Sequence, residues 1–220
     1  MRLAWLGVAP IAVAFEALRV RLSVQPRRRY WQTRLAHGEL LVVTLGDSLT
    51  QGIGASSPAS SWVGRFAVHL QQQCGRSVRV DNRAAYGAKV ADVLATQLPV
   101  PADAEVVTLC IGSNDAGRTS AEEFRRRLRQ ACAALPAGAI VGDVPEFQWG
   151  PRVSDAATLS VVVREVVAEF PGLVLARVEQ ATTGTRILTE LAGDFFHPGD
   201  RGYARVASAF ISAASPAVDN

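Results

Sequence analysis

Cysteine is scarce: the 220-residue chain holds three, Cys74, Cys110 and Cys132, with no CxxC pair. An odd count without that spacing argues against a disulfide framework, and no Cys–His spacing suits zinc, so neither metal nor cofactor is expected. Cys110 lies in an apolar run and Cys132 on the apolar side of a helical pattern, so both read as small buried hydrophobes. There is no repeat of 20 to 50 residues, which argues against a solenoid or propeller. Charged residues are 20% of the chain and apolar ones 49%, a balance that excludes global disorder. The eleven Pro and eighteen Gly have no period, so collagen-like and low-complexity architectures are excluded as well.

A long apolar run is also missing. The uncharged stretch Leu3–Phe15 has thirteen residues and is broken by Pro10, whereas a spanning helix needs about 20. Ala12-Val13-Ala14 resembles a cleavage site, but a signal ending there falls short of the usual ~15–30 residues. Positive charge follows the stretch, at Arg19, Arg21, Arg27, Arg28, Arg29 and Arg34. Such flanks tend to remain cytoplasmic. The segment 1–38 is therefore read first as a membrane-surface or anchoring helix with an Arg-rich collar, which favours anionic lipid. A helix packed on the domain comes second and an atypical export signal third. A cytoplasmic or cytoplasmic-face location is favoured over export.

A basic face on the body is the next absence. The whole chain carries +3, but residues 1–38 hold seven Arg and one Glu, which leaves residues 39–220 net negative. Nucleic acid is thus not an expected partner.

From residue 40 onward, short apolar runs alternate with helical patterns. Strands are expected at 40–45, 78–81, 105–111, 139–144 and 173–178, the first and third nearly all apolar, as in strands covered on both faces. Helices are expected at 61–73, 89–98, 120–135, 153–170 and 199–214. The first places Trp62, Phe66 and Leu70 on one face. The third opens on a capping box, Ser120-x-x-Glu123. This alternation predicts an α/β domain over 39–220 with a mostly parallel five-stranded sheet, whose ligands bind beyond the carboxyl ends of its strands.

Four motifs fall at that edge. Gly46-Asp47-Ser48-Leu49-Thr50 follows the first strand, Asn82…Gly87 the second and Gly112-Ser113-Asn114-Asp115 the third, while Asp194-Phe195-Phe196-His197-Pro198 precedes the last helix. These residue types suit acyl transfer. A serine hydroxyl needs a base within reach, and His197 can serve. Asp194 is the candidate carboxylate to hold the imidazole. The backbone N–H groups of Ser48 and Gly87 and the amide of Asn114 are candidate oxyanion donors. Singly, each motif reads as a cap or a turn. All four in chain order on one edge favour catalysis.

Together the blocks GDSLT, Gly87, GSND and DFFHP resemble the SGNH (GDSL-type) hydrolase family, over residues 40 to about 210. The resemblance implies a flavodoxin-like three-layer α/β/α sandwich, no metal, and ester or thioester hydrolysis through an acyl-enzyme. Ser48, Asp194 and His197 inherit the triad; Gly87 and Asn114 inherit oxyanion roles. A small residue often precedes the family glycine, where this chain has Tyr86. A small-molecule or lipid-like ester is the expected partner, with acyltransferase or silent acyl- or glycan-binding module as the alternatives. The stretch 144–152 after the fourth strand is read as one pocket wall, with Phe147 and Trp149 as apolar contacts; Trp62 and Phe66 read first as core, and Trp62 is a pocket-wall candidate as well because it lies close to the Ser48 loop. His37 and His69 read as linker and surface residues, and Arg125–Arg129 with Glu122 and Glu123 as a solvated helix face. Asp47 and Asp115 read as loop braces.

Overall fold

β1 (Leu40–Gly46) has all seven residues buried, because helices cover both of its faces. Alternate side chains point to opposite sides of a strand, so Leu41, Val43 and Leu45 enter one core and Leu40 and Val42 the other. The computed structural model describes Phe15 and residues 18–215. Most of the apolar run Leu3–Phe15, with its cleavage-like triplet, lies outside the described residues.

Five strands form one sheet: β1, β2 (Val78–Asn82), β3 (Val106–Cys110), β4 (Ile140–Gly142) and β5 (Val174–Ala176). Their order is β2-β1-β3-β4-β5 and every pairing is parallel. Strand order reverses between β1 and β3, and there the crevice beyond the carboxyl ends opens.

Helices make the outer layers. α4 (Ala121–Ala133) and α5 (Val153–Ala168) cover one face through Phe124, Leu128, Leu159 and Val163. On the other face lie α3 (Trp62–Cys74) and α7 (Asp200–Ala214), with α1 (Val24–Arg34) alongside. Two short helices complete the frame used below, α2 (Ser48–Gln51) and α6 (Val178–Thr182). The α/β/α sandwich expected from the sequence is the fold observed.

Details depart from expectation where neighbours intervene. The helix expected at 89–98 is a single turn, Val90–Asp92, running into a π turn, Val93–Gln97. That widened turn carries Gln97 inward, where its amide accepts from the Gly46 N–H at 2.7 Å and donates to the Gly46 carbonyl at 2.8 Å. The capping box at Ser120 is half formed. Ser120 Oγ accepts from the Glu123 N–H at 3.2 Å, but the Glu123 carboxylate pairs with Arg126 and Arg127 instead. A guanidinium one turn on outcompetes a lone N–H for that carboxylate. Arg125 and Arg129 reach across to Glu165 on α5 and to Glu169 at its C-terminal cap; such solvated pairs each contribute at most about 1 kcal/mol.

Arg27 and Trp31 of α1 turn inward. Both are buried: the Trp31 indole N–H donates to the Gln51 carbonyl at 3.0 Å and the Arg27 guanidinium to the carbonyl of Ala55. The helix that ends the Arg-rich segment thus braces the chain just after Ser48. Among the described residues, no helix is long and apolar enough to cross a membrane.

Candidate active site

Ser48 sits where β1 turns into α2. The Asp47 carboxylate accepts from the Leu49 N–H at 2.9 Å, capping the short helix and fixing Ser48 at its first position. The hydroxyl therefore faces the crevice from a rigid strand-to-helix junction.

His197 and Asp194 come from the loop before α7. Asp194 Oδ1 accepts the N–H groups of Phe196 at 3.1 Å and His197 at 3.0 Å, while Phe195 takes φ +55° to close the turn. The Ala192 N–H donates to the His197 carbonyl at 2.8 Å, within an antiparallel bridge from Leu191 to Pro198. With the loop so tied, Asp194 Oδ2 lies 2.6 Å from His197 Nδ1, and His197 Nε2 lies 3.0 Å from Ser48 Oγ. A carboxylate at Nδ1 fixes the proton there and leaves Nε2 as acceptor for the serine O–H. Burial works against an ionised Asp194, but the imidazole and two backbone N–H groups outweigh it and hold the carboxyl below its usual pKa.

The three expected oxyanion donors follow β1, β2 and β3 in turn. Asn114 follows β3, and its amide nitrogen donates to the Ala88 carbonyl at 3.1 Å, with a longer contact to Asp47 Oδ2 at 3.4 Å. One amide hydrogen is therefore committed and the other only loosely held. Among the described residues the backbone N–H groups of Ser48 and Gly87 have no protein acceptor. Gly87 takes φ +78° with no atom within 4 Å of where a Cβ would stand, so its surroundings are open. The arrangement can carry a proton from an alcohol to an imidazole and stabilise an oxyanion beside it.

Asp47 and Asp115 brace the loops below. Asp115 accepts from the Val90 N–H at 3.0 Å and from the Thr119 hydroxyl at 2.9 Å, and burial raises its pKa. Burial, with some repulsion from Asp115, pushes Asp47 up to about 7. The native state thus retains a proton that the unfolded chain, with a carboxylate pKa of about 3.9, has released. This contribution to stability is full below about pH 4, declines as pH rises to about 7 and is flat above. Asp47→Asn, which keeps an oxygen for Leu49, is expected to gain stability relative to the native chain across that window. Urea unfolding at pH 4, 5.5 and 7 checks it: a constant difference refutes the assignment.

A cavity of about 160 Å³ opens beside Ser48 and His197, walled by the segment 145–152 and by Phe195, Phe196 and Leu191. Phe147 and Trp149, both after β4, line it. The Phe147 ring meets Phe196 edge-on at 5.7 Å, and the Trp149 N–H donates to the Phe195 carbonyl at 2.9 Å. Trp62 does not line it: its ring is fully buried, stacked on Phe210 of α7 at 4.0 Å. Its stripe with Phe66 belongs to the core under the sheet. Sequence reasoning gave no role to Phe196, whose ring meets that of His197 edge-on at 5.0 Å. Its position beside His197 was the available signal. Arg152 ends the wall stretch 144–152, and its guanidinium lies over Phe196 at 5.8 Å. Tyr86, the unusual residue before Gly87, sits 6.0 Å from the imidazole ring. Among the described residues no cluster of His, Cys, Asp or Glu could hold a metal ion.

Comparison with known proteins identifies the family. The model of the GDSL-like lipase/acylhydrolase family matches residues 44–205, a span that runs from the end of β1 into α7 and includes every residue of the constellation. None of the curated proteins matches the chain. Among solved structures, the chain resembles a lipase from a goat rumen metagenome at 18% identity and TM-score 0.68, covering 82% of this chain and 100% of that one. It also resembles LAE5, an alpha/beta hydrolase enzyme from the metagenome of Lake Arreo, Spain, at 25% identity and TM-score 0.66, covering 80% and 94%. The acetylxylan esterase Axe2 of Geobacillus stearothermophilus aligns at 20% identity and TM-score 0.63, covering 83% and 97%. With a family model matching most of its length over a sheet of the same architecture, the chain belongs to the GDSL-like lipase/acylhydrolase family and is a carboxylic ester hydrolase.

Proposed function

We propose that Ser48 is the nucleophile of a serine esterase that works through an acyl-enzyme on small or lipid-like carboxylic esters. Ser48 Oγ attacks the acyl carbonyl while His197 Nε2 takes its proton. Asp194 holds the imidazole in orientation and stabilises the imidazolium. The negative charge on the former carbonyl oxygen is met by the N–H groups of Ser48 and Gly87 and by the loosely held hydrogen of Asn114. The imidazolium then protonates the departing alkoxide, and water, deprotonated by the same imidazole, hydrolyses the acyl-serine.

The observation that carries this reading is the line from Asp194 through His197 to Ser48, with steps of 2.6 and 3.0 Å at the mouth of a cavity. The apolar walls beside it, Phe147 and Phe196 above all, suit an acyl chain more than a sugar ring, since neither offers a hydrogen bond. A fluorophosphonate probe tests the assignment. It is expected to label one residue, and mass mapping is expected to place the phosphonyl group on Ser48. Labelling elsewhere, or none in a protein that turns over p-nitrophenyl esters, overturns it.

A further inference from the structure

The Arg-rich helix presents two unlike faces. Its path runs through residues 18–34, carried across Ser23 by bonds from the Ser23 N–H to the Arg19 carbonyl and from the Arg27 N–H to the Ser23 carbonyl. Arg27 and Trp31 are buried against the domain, and Val20, seven residues before Arg27, is buried as well. On the opposite side, Leu18 and Leu22, one turn apart, are 52% and 67% exposed; Phe15, ahead of them in sequence, is 65% exposed. Large apolar side chains exposed together on an outward helix face call for an explanation that a scattered surface residue does not. They cannot be the edge of the core, because the core-facing stripe of the same helix is already filled.

Arginine surrounds that row. Arg21, Arg28 and Arg29 are exposed, residues 17–38 contain no Asp or Glu, and no carboxylate among the described residues pairs with these three. The sequence just before the row, Leu3–Ala14, carries no charge. An apolar stripe beside arginines that pair with no described carboxylate, on a helix whose other side is anchored, has the make-up of an interfacial helix. We infer that this face docks on an anionic lipid bilayer, with Phe15, Leu18 and Leu22 entering the acyl boundary and Arg21, Arg28 and Arg29 meeting lipid phosphates.

Other occupants fit less well. A second copy of the chain would bring two sets of arginines together, a like-charge contact that opposes association. Nucleic acid would meet the arginines but leave the three apolar side chains without a role, since its backbone is contacted by charge. A bilayer satisfies both at once. Docking there also has a mechanical consequence, because the same helix holds the Gln51 and Ala55 carbonyls through Trp31 and Arg27. The element that carries Ser48 would thus sit one helix away from the lipid surface.

Co-sedimentation of the full chain with vesicles tests this. Binding is expected to vesicles of phosphatidylcholine with phosphatidylglycerol and to be weak with phosphatidylcholine alone. It should fall as salt rises from about 0.1 M to 1 M, where the Debye length shrinks from about 10 Å to about 3 Å. Leu18→Glu/Leu22→Glu and, separately, Arg28→Glu/Arg29→Glu should each lower the partition coefficient by about tenfold or more. Thermal melts that match the native chain show that the outward face was altered without loss of fold. Equal binding to neutral and anionic vesicles overturns the proposal, as does undiminished binding by either double variant. So does a native dimer that Leu18→Glu/Leu22→Glu converts to monomer, since that result assigns the face to a second copy. None of these outcomes depends on the assignment of Ser48.

Discussion

Ser48→Ala is expected to lower kcat on a p-nitrophenyl ester by about 10⁶-fold, and adding His197→Ala to leave the rate nearly where it was. On the proposed mechanism the two side chains perform one step. A serine hydroxyl in water keeps its proton at neutral pH and attacks poorly; the imidazole 3.0 Å away removes that proton as the bond to carbon forms. Remove the alcohol and the base has no substrate for its proton transfer. Remove the base and the alcohol is inert. Costs that belong to one unit do not add, so the double variant separates a working pair from two independent contributions. What survives should be the cradle. With Asn114 intact, the double variant should keep a residual acceleration over water of about 10³–10⁴. Asn114→Ala in the native background should cost about 10²–10³ in kcat with little change in KM, because the oxyanion forms only after binding. Steady-state kinetics on the four proteins, with equal thermal melts, makes the check. A loss of only a few fold in Ser48→Ala would mean that water attacks the ester directly, and the nucleophilic assignment would fall.

How much of this could be read beforehand depended on how local the cause was. The runs at 40–45 and 105–111 read as central strands because a strand covered on both faces has no polar side to show; both are central in the sheet. GDSLT, Gly87, GSND and DFFHP were legible because each lies at the end of a strand or the start of a helix, and a parallel sheet collects such ends along one edge. Trp62 takes the core place read first for it and not the pocket wall offered beside it, for a physical reason. A stripe at i and i+4 says that a helix has an apolar face, not what lies opposite it, and the partner here is Phe210, far along the chain. Glu123 was read from a motif whose geometry is local, yet its carboxylate had a stronger competitor one turn away. Gln97 was invisible: a glutamine after a helical pattern gives no hint that a π turn will aim it at both polar groups of Gly46. Arg27 is the sharpest case. In a run of arginines it looks like its exposed neighbours, and only the register of α1 on the domain selects it for burial.

Gly46→Ala is the substitution with the largest expected effect on the fold, and its contrast with Gly87→Ala separates two uses of one residue type. Gly46 ends β1, opposite Cys110 of β3, with φ +148°. A Cβ there would stand 2.2 Å from the Cys110 carbonyl oxygen and 2.5 Å from Thr50 Oγ1. The threonine can rotate, but the carbonyl belongs to a strand held on both sides by parallel ladders, so retreat means breaking them. Gln97 grips the Gly46 N–H and carbonyl from a fully buried position, which blocks the glycine from moving instead. With every route to relief tied to another element, we expect a loss of about 4 kcal/mol or more. Against a typical total of about 5–15 kcal/mol that is a large share of the stability of the fold. Gly87 also has positive φ, +78°, but nothing lies within 4 Å of its would-be Cβ. Gly87→Ala should therefore cost about 1–2 kcal/mol of backbone strain and fold. Its new methyl group would project beside the N–H assigned to the oxyanion, and a displaced donor of this kind can cost up to about 100-fold in rate. Urea unfolding and ester kinetics on the two variants read this as opposite patterns: stability lost at Gly46, turnover lost at Gly87. If Gly46→Ala melts like the native chain, the close approach of β1 to the Cys110 carbonyl is wrong, and with it the support beneath Ser48.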